Sequence, residues 1–110
     1  MPEVTNCTVS ELKERLDRGT PPLLLDVRQP EEIALCRIEG AVAIPMGEIP
    51  SRLMELDRHA DEEIIVYCHH GVRSANVQQF LLRNGFANVR NLIGGIEEYA
   101  LQADPTIPRY

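Results

Sequence analysis

Short, nearly continuous apolar runs recur along this chain, and helical segments separate them. Leu23 to Val27, Ala41 to Ile44 and Ile64 to Tyr67 lack the alternation of a strand with one wet face. A strand that is apolar on both sides has to be covered on both sides, which a parallel sheet with helices on each face achieves. The punctuation between the runs agrees. Thr8-Val9-Ser10-Glu11 has capping-box spacing and opens a helix with Leu12 and Leu16 on one face, ending at Gly19. Pro21-Pro22 breaks the chain before the first long strand. Pro30 suits a first helical position, and Glu31 and Glu32 complement the positive end of that helix. Helices are expected over Ile49 to Leu56, Ser74 to Asn84 and Gly95 to Leu101, with a short strand near Val89. The expected fold class is α/β, with a central parallel sheet of about five strands and helices on both faces.

Chemistry concentrates in the stretch Ile64-Ile65-Val66-Tyr67-Cys68-His69-His70-Gly71-Val72-Arg73-Ser74. A buried strand would deliver Cys68 to the carboxyl edge of the sheet, where ligands bind in such folds. A tight loop over a helix N-terminus follows. Successive amides there can converge on one point and form an anion nest beside a helix dipole. A sulfur in that nest is stabilised as thiolate, the nucleophilic form. Cys68 is therefore the candidate nucleophile, and His69, His70, Gly71, Val72 and Arg73 the candidate loop that cradles its charge.

The pattern Cys-x-x-Gly-x-Arg-Ser after an apolar strand resembles the active-site loop of rhodaneses, sulfurtransferases with a persulfide intermediate. Other segments agree in order. Leu23 to Arg28 with Pro30-Glu31-Glu32 is similar to the family's Asp-Val-Arg segment. Ile38-Glu39-Gly40-Ala41 with Ile44-Pro45 is similar to its Ile-x-Gly-Ala-x-x-Ile-Pro segment. Gly85-Phe86, Val89, Leu92 and Gly94-Gly95-Ile96 resemble the part before its last helix, and the tail Asp104 to Tyr110 resembles the ending of bacterial single-domain members. The chain departs from the pattern at Cys36-Arg37, where many members carry Gly-His, and at Tyr99, often tryptophan. The resemblance implies one rhodanese domain over 1–110, with a core of about 8–101 and a tail of 102–110.

The implied activity is transfer of sulfane sulfur from a donor such as thiosulfate, through a persulfide on Cys68, to cyanide or a thiol. The alternatives are a relay of protein persulfides with little thiosulfate activity and a non-catalytic interaction module of the same fold. Cysteine phosphatases use a similar loop with one more residue between cysteine and arginine, which makes room for a tetrahedral phosphate. The four-residue gap here suits a single sulfur atom. No metal or organic cofactor is required.

Composition narrows the partners. The net charge is −6, and no cluster of Lys and Arg forms a footprint for a phosphate backbone, so nucleic acid is not an expected partner. No apolar run is long enough to span a membrane. Met1-Pro2-Glu3-Val4-Thr5 lacks the basic start and apolar core of a signal peptide. Cys7, Cys36 and Cys68 are odd in number and widely spaced, which favours free thiols and a reducing cytoplasm over a disulfide framework. Adjacent His69 and His70 have poor geometry for closing a zinc site with Cys68.

Several of these residues also have plainer readings. Cys7 and Cys36 have no loop like that of Cys68, so packing or surface thiols suffice. His69 and His70 are either solvated or contacts for the donor. Gly71 supplies a positive φ, and Gly94-Gly95 a turn into the last helix. Asp26 and Arg28 are either a structural ion pair or a brace for the active loop. Asp26 is also the expected partner of Arg73, because both fall at one edge of the sheet.

Overall fold

The computed structural model describes residues 6–110. Met1 to Thr5, where the features of a signal peptide were sought, lie outside the described residues. The strands β1 (Asn6–Cys7), β2 (Leu23–Asp26), β3 (Val42–Ala43), β4 (Glu63–Tyr67) and β5 (Asn88–Leu92) form one sheet in the order β1-β5-β4-β2-β3. Every pairing is parallel, with Leu23 opposite Ile64 and Asp26 opposite Tyr67. The helices are α1 (Val9–Asp17), α2 (Pro30–Leu35), α3 (Val72–Arg83) and α4 (Gly95–Gln102).

The sheet divides two apolar cores, as the alternation of side chains along a strand requires. Leu25, Ile64, Val66, Cys68 and Val89 face one core with Val77 and Leu81 of α3. Leu24, Ile65, Tyr67 and Leu92 face the other with Leu12 of α1 and Ile96 of α4. Helices on both faces of a five-stranded parallel sheet are the expected architecture.

Thr8 caps α1 in a full capping box: its Oγ1 accepts from the Glu11 amide at 3.1 Å, and Glu11 Oε1 accepts from the Thr8 amide at 2.8 Å. The expectation over Ile49 to Leu56 needs correction. Instead of an α-helix, that region holds 3₁₀ turns at Met46–Glu48, Pro50–Glu55 and Asp57–His59, with a kink at Arg52. The helical path breaks at Arg52, whose φ of −114° and ψ of 17° are not helical, so the segment closes in short turns. It still buries Leu56, and Leu53, the other position expected on that helix face, packs half-buried against the same core. The pair Asn6–Cys7 carries too little sequence to be recognised as a strand, and it adds the outer edge beside β5.

Candidate active site

The carboxyl end of β4 places Cys68 almost fully buried, at 1% exposure, against the N-terminus of α3. α3 begins at Val72, two residues before the expected Ser74. Gly71 makes the early start possible: at φ +110° it turns the chain sharply, and its carbonyl accepts the first helical bond from the Ala75 amide at 3.2 Å. Arg73 and Ser74 therefore sit in the first turn, where amides lack partners within the helix. The Gly71 amide donates to Cys68 Sγ at 3.1 Å and the Ser74 amide at 3.5 Å, with Ser74 Oγ 3.4 Å away. Burial pushes the Cys68 thiol up, but the Ser74 hydroxyl and the amides of Ser74, Gly71 and His70 outweigh it, and the sulfur is more acidic than an ordinary thiol.

The loop is held from behind by α4. The Ile96 amide donates to the Cys68 carbonyl at 2.9 Å and the Glu97 amide to the His69 carbonyl at 3.1 Å. Gly95 makes this approach possible. A Cβ built there would lie 2.5 Å from the Cys68 carbonyl oxygen and 2.4 Å from that of His69. The doublet Gly94-Gly95 is thus more than a turn: it lets one helix terminus grip the loop of another.

Asp26 and Arg28 form the structural ion pair that was one of their two readings, whereas the expected pairing of Asp26 with Arg73 is absent. Asp26 does not meet Arg73. Its Oδ1 accepts from the Arg28 amide and Nε, both at 3.0 Å, and its Oδ2 from Arg28 Nη2 at 2.7 Å. Arg28 is only two residues along the chain and reaches the carboxylate first. This pair is wholly buried, and Arg28 also donates to the Cys36 carbonyl at 2.7 Å and to Tyr110 Oη at 3.0 Å. Arg73 instead takes both carboxylate oxygens of Glu32 on α2, at 2.6 and 2.9 Å. Those bonds drive the Glu32 carboxyl down to about 2, against the cost of its partial burial.

His69 and His70 have ring centroids 4.0 Å apart but differ in exposure. The His69 ring stacks on Tyr110, centroids 3.9 Å apart and planes 8° apart, and burial pushes its pKa down. His70 is exposed on the outer side of the loop, as is Val72. Tyr110 Oη also donates to Glu32 Oε2 at 2.8 Å, so the tail links both charged pairs. Cys7 and Cys36 are buried free thiols in the opposite core from Cys68.

Sequence reasoning missed Ser74, Asn91, Glu32, Gly95 and Tyr110 as parts of this site. Ser74 and Glu32 had visible signals, a hydroxyl closing the loop motif and a carboxylate in a first turn. Asn91, a polar residue near the end of β5, had none without the fold.

Known proteins share this fold and family. The rhodanese-like domain model matches residues 8–102. A sulfurtransferase of Allochromatium vinosum is 36% identical over 96 residues, covering 87% of this chain and 88% of that protein. The crystal structure of SSP1007 from Staphylococcus saprophyticus aligns with a TM-score of 0.82 at 36% identity, covering 96% of this chain and 100% of that one. The maize adenylyltransferase and sulfurtransferase MOCS3-2 is 32% identical over 115 aligned positions, but the chain spans only 24% of its length.

Proposed function

The chain belongs to the rhodanese-like family, and from that premise we propose that it moves sulfane sulfur through a persulfide on Cys68. The observation that carries this reading is the convergence of the Gly71 and Ser74 amides and the Ser74 hydroxyl on one buried sulfur at the head of α3. Thiolate Cys68 attacks the outer sulfur of a donor such as thiosulfate. A Cys68 S–S bond forms, the donor's S–S bond breaks, and sulfite leaves with the electron pair. The terminal sulfur carries the negative charge, and amides already aimed at that position stabilise it with little reorganisation. Cyanide or a thiol then attacks the terminal sulfur and leaves as thiocyanate or a new persulfide, regenerating the Cys68 thiolate.

Arg73 is engaged by Glu32, so its charge toward a donor anion is largely offset and its role is to brace the loop. With a net charge of −6, the protein's field does not favour a dianion either. Both points favour a thiol-borne or protein-borne persulfide as the working donor, with thiosulfate a surrogate. A reducing cytoplasm suits three free cysteines.

The test is brief exposure to thiosulfate followed by peptide mass spectrometry and assay of released sulfite. One added sulfur on Cys68, removed by cyanide as thiocyanate, supports the reading. Sulfur on Cys7 or Cys36 with Cys68 unmodified would overturn it, as would hydrolysis of an aryl phosphate without sulfur transfer.

A further inference from the structure

Asn91 lies in β5, seventeen residues beyond Ser74, yet it hydrogen-bonds both ends of the turn that cradles Cys68. Its Nδ2 donates to the Gly71 carbonyl at 3.1 Å, and its Oδ1 accepts from Ser74 Oγ at 2.6 Å. Gly71 and Ser74 both aim their amides at Cys68 Sγ. The direction of these bonds follows from the groups themselves. A carbonyl only accepts, so the amide nitrogen of Asn91 faces Gly71 and its oxygen faces Ser74. That oxygen also only accepts, so the single hydrogen of the Ser74 hydroxyl points at Asn91. Cys68 Sγ lies 3.4 Å from the same hydroxyl oxygen. A thiol can donate into it, whereas a thiolate can gain the Ser74 hydrogen only by taking it from Asn91.

We propose that Asn91 is a positioning residue for the sulfur chemistry: it competes with the Cys68 sulfur for the one hydrogen of Ser74, while fixing Gly71 so that the turn stays aimed. The proposal rests on the reading of Cys68 as the reacting sulfur. In the thiol state the hydrogen belongs to Asn91. When the sulfur becomes anionic, the hydroxyl swings to it by rotating one O–H bond, and no heavy atom moves. Charging the sulfur therefore costs the short bond to Asn91, which restrains its acidity.

This competition predicts a sign that loop support alone does not. Deleting the Asn91 amide frees the Ser74 hydrogen for the thiolate and makes Cys68 more acidic. If Asn91 merely held the loop, its loss would let the amides drift from the sulfur and make Cys68 less acidic. The other charged and titratable groups around the sulfur stay as they are in both cases. Arg73 on α3 senses the sulfur's charge and remains held by Glu32. His69 and His70 flank Cys68 in the loop, and Asp26 and Arg28 satisfy each other at the end of β2.

The experiment is the pH profile of Cys68 alkylation by iodoacetamide, read on the Cys68 peptide alone. It compares the unaltered protein, Asn91→Ala, Ser74→Ala and the double variant. The expected result is a midpoint about half a pH unit lower in Asn91→Ala, a ~3-fold faster alkylation below both midpoints, with no such fall in the Ser74→Ala background. An unchanged or higher midpoint in Asn91→Ala overturns the proposal, and so does an equal fall in both backgrounds. If the alanine variant does not fold, Asn91→Leu fills the same space without either hydrogen bond and is judged by the same criteria. Alkylation reads the thiolate whether or not sulfur moves. Failure of Cys68 to take up sulfur would thus defeat the functional reading without deciding this one.

Discussion

Glu32 and Arg73, on different helices, meet as a two-pronged ion pair with bonds of 2.6 and 2.9 Å. The pair ties the first turn of α2 to the first turn of α3, and so to the turn that aims amides at Cys68. A planar guanidinium held by both carboxylate oxygens has little freedom to swivel. The amides beside Arg73 inherit that restraint.

Glu32→Gln and Arg73→Lys should therefore be coupled in a double-mutant cycle on folding stability, by about 1 kcal/mol. Losses that simply add would leave the pair without structural weight. The pair also predicts acid behaviour. Arg73 holds the Glu32 carboxyl near 2 in the folded chain, below an ordinary glutamate's value of about 4.3. A carboxyl depressed by folding contributes stability that is complete above its unfolded value and disappears as pH falls through its folded one. Stability should thus decline from about pH 4.3 toward 2, and Glu32→Gln should flatten that part of a pH series of denaturant melts.

Asp26→Asn tests the other pair. Arg28 is fully buried and Asp26 is its charged partner, so neutralising the carboxylate leaves an uncompensated cation in the core. The expected loss in denaturant unfolding is about 3–5 kcal/mol. A loss below ~1 kcal/mol would mean that the Cys36 carbonyl and Tyr110 suffice to hold Arg28.

Cys68 should alkylate with a midpoint below the free-thiol value of about 8.5, because the amides and the Ser74 hydroxyl favour its charged form. A depressed thiol pKa adds stability that is complete above the unfolded value and is lost as pH falls through the folded one. Cys68→Ser should take up no sulfur from thiosulfate while unfolding within ~1 kcal/mol of the unaltered protein. An alkylation midpoint at or above the free-thiol value would mean the amides are not aimed at the sulfur.

Gly95→Ala places a methyl group against the Cys68 and His69 carbonyls, at a φ of +62° that side chains rarely adopt. The loop and α4 must then separate. A stability loss of about 2 kcal/mol or more should appear in thermal or denaturant melts, together with slower alkylation of Cys68. Unchanged values of both would show that α4 does not grip the loop.

Tyr110→Phe removes the hydroxyl that joins Arg28 to Glu32 but keeps the stack on His69. About 1 kcal/mol of stability should be lost. Tyr110→Ala loses the stack as well and should cost more. Equal effects of the two variants would place the whole contribution in the hydroxyl.

The amino-acid order made legible a parallel sheet with helices on both faces and the place of Cys68 at a strand end, but not the strand order or the edge pair Asn6–Cys7. Runs such as Ile64 to Tyr67 are apolar on both faces, and the only way to bury both is between two layers. The loop after Cys68 was legible because it is local: Gly71 turns the chain and the helix starts at once, so the amides that reach the sulfur lie within six residues of it. Tertiary structure decided everything that depends on partners distant in sequence. Asp26 looked available to Arg73, but a neighbour two residues away reached it first, and Arg73 found Glu32 on another helix. Asn91 and Gly95 were equally silent, since neither touches the loop until β5 and α4 pack beside β4. Hydrogen bonds, including those that lock an ion pair, need their atoms about 3 Å apart. Only the folded chain decides which groups come that close.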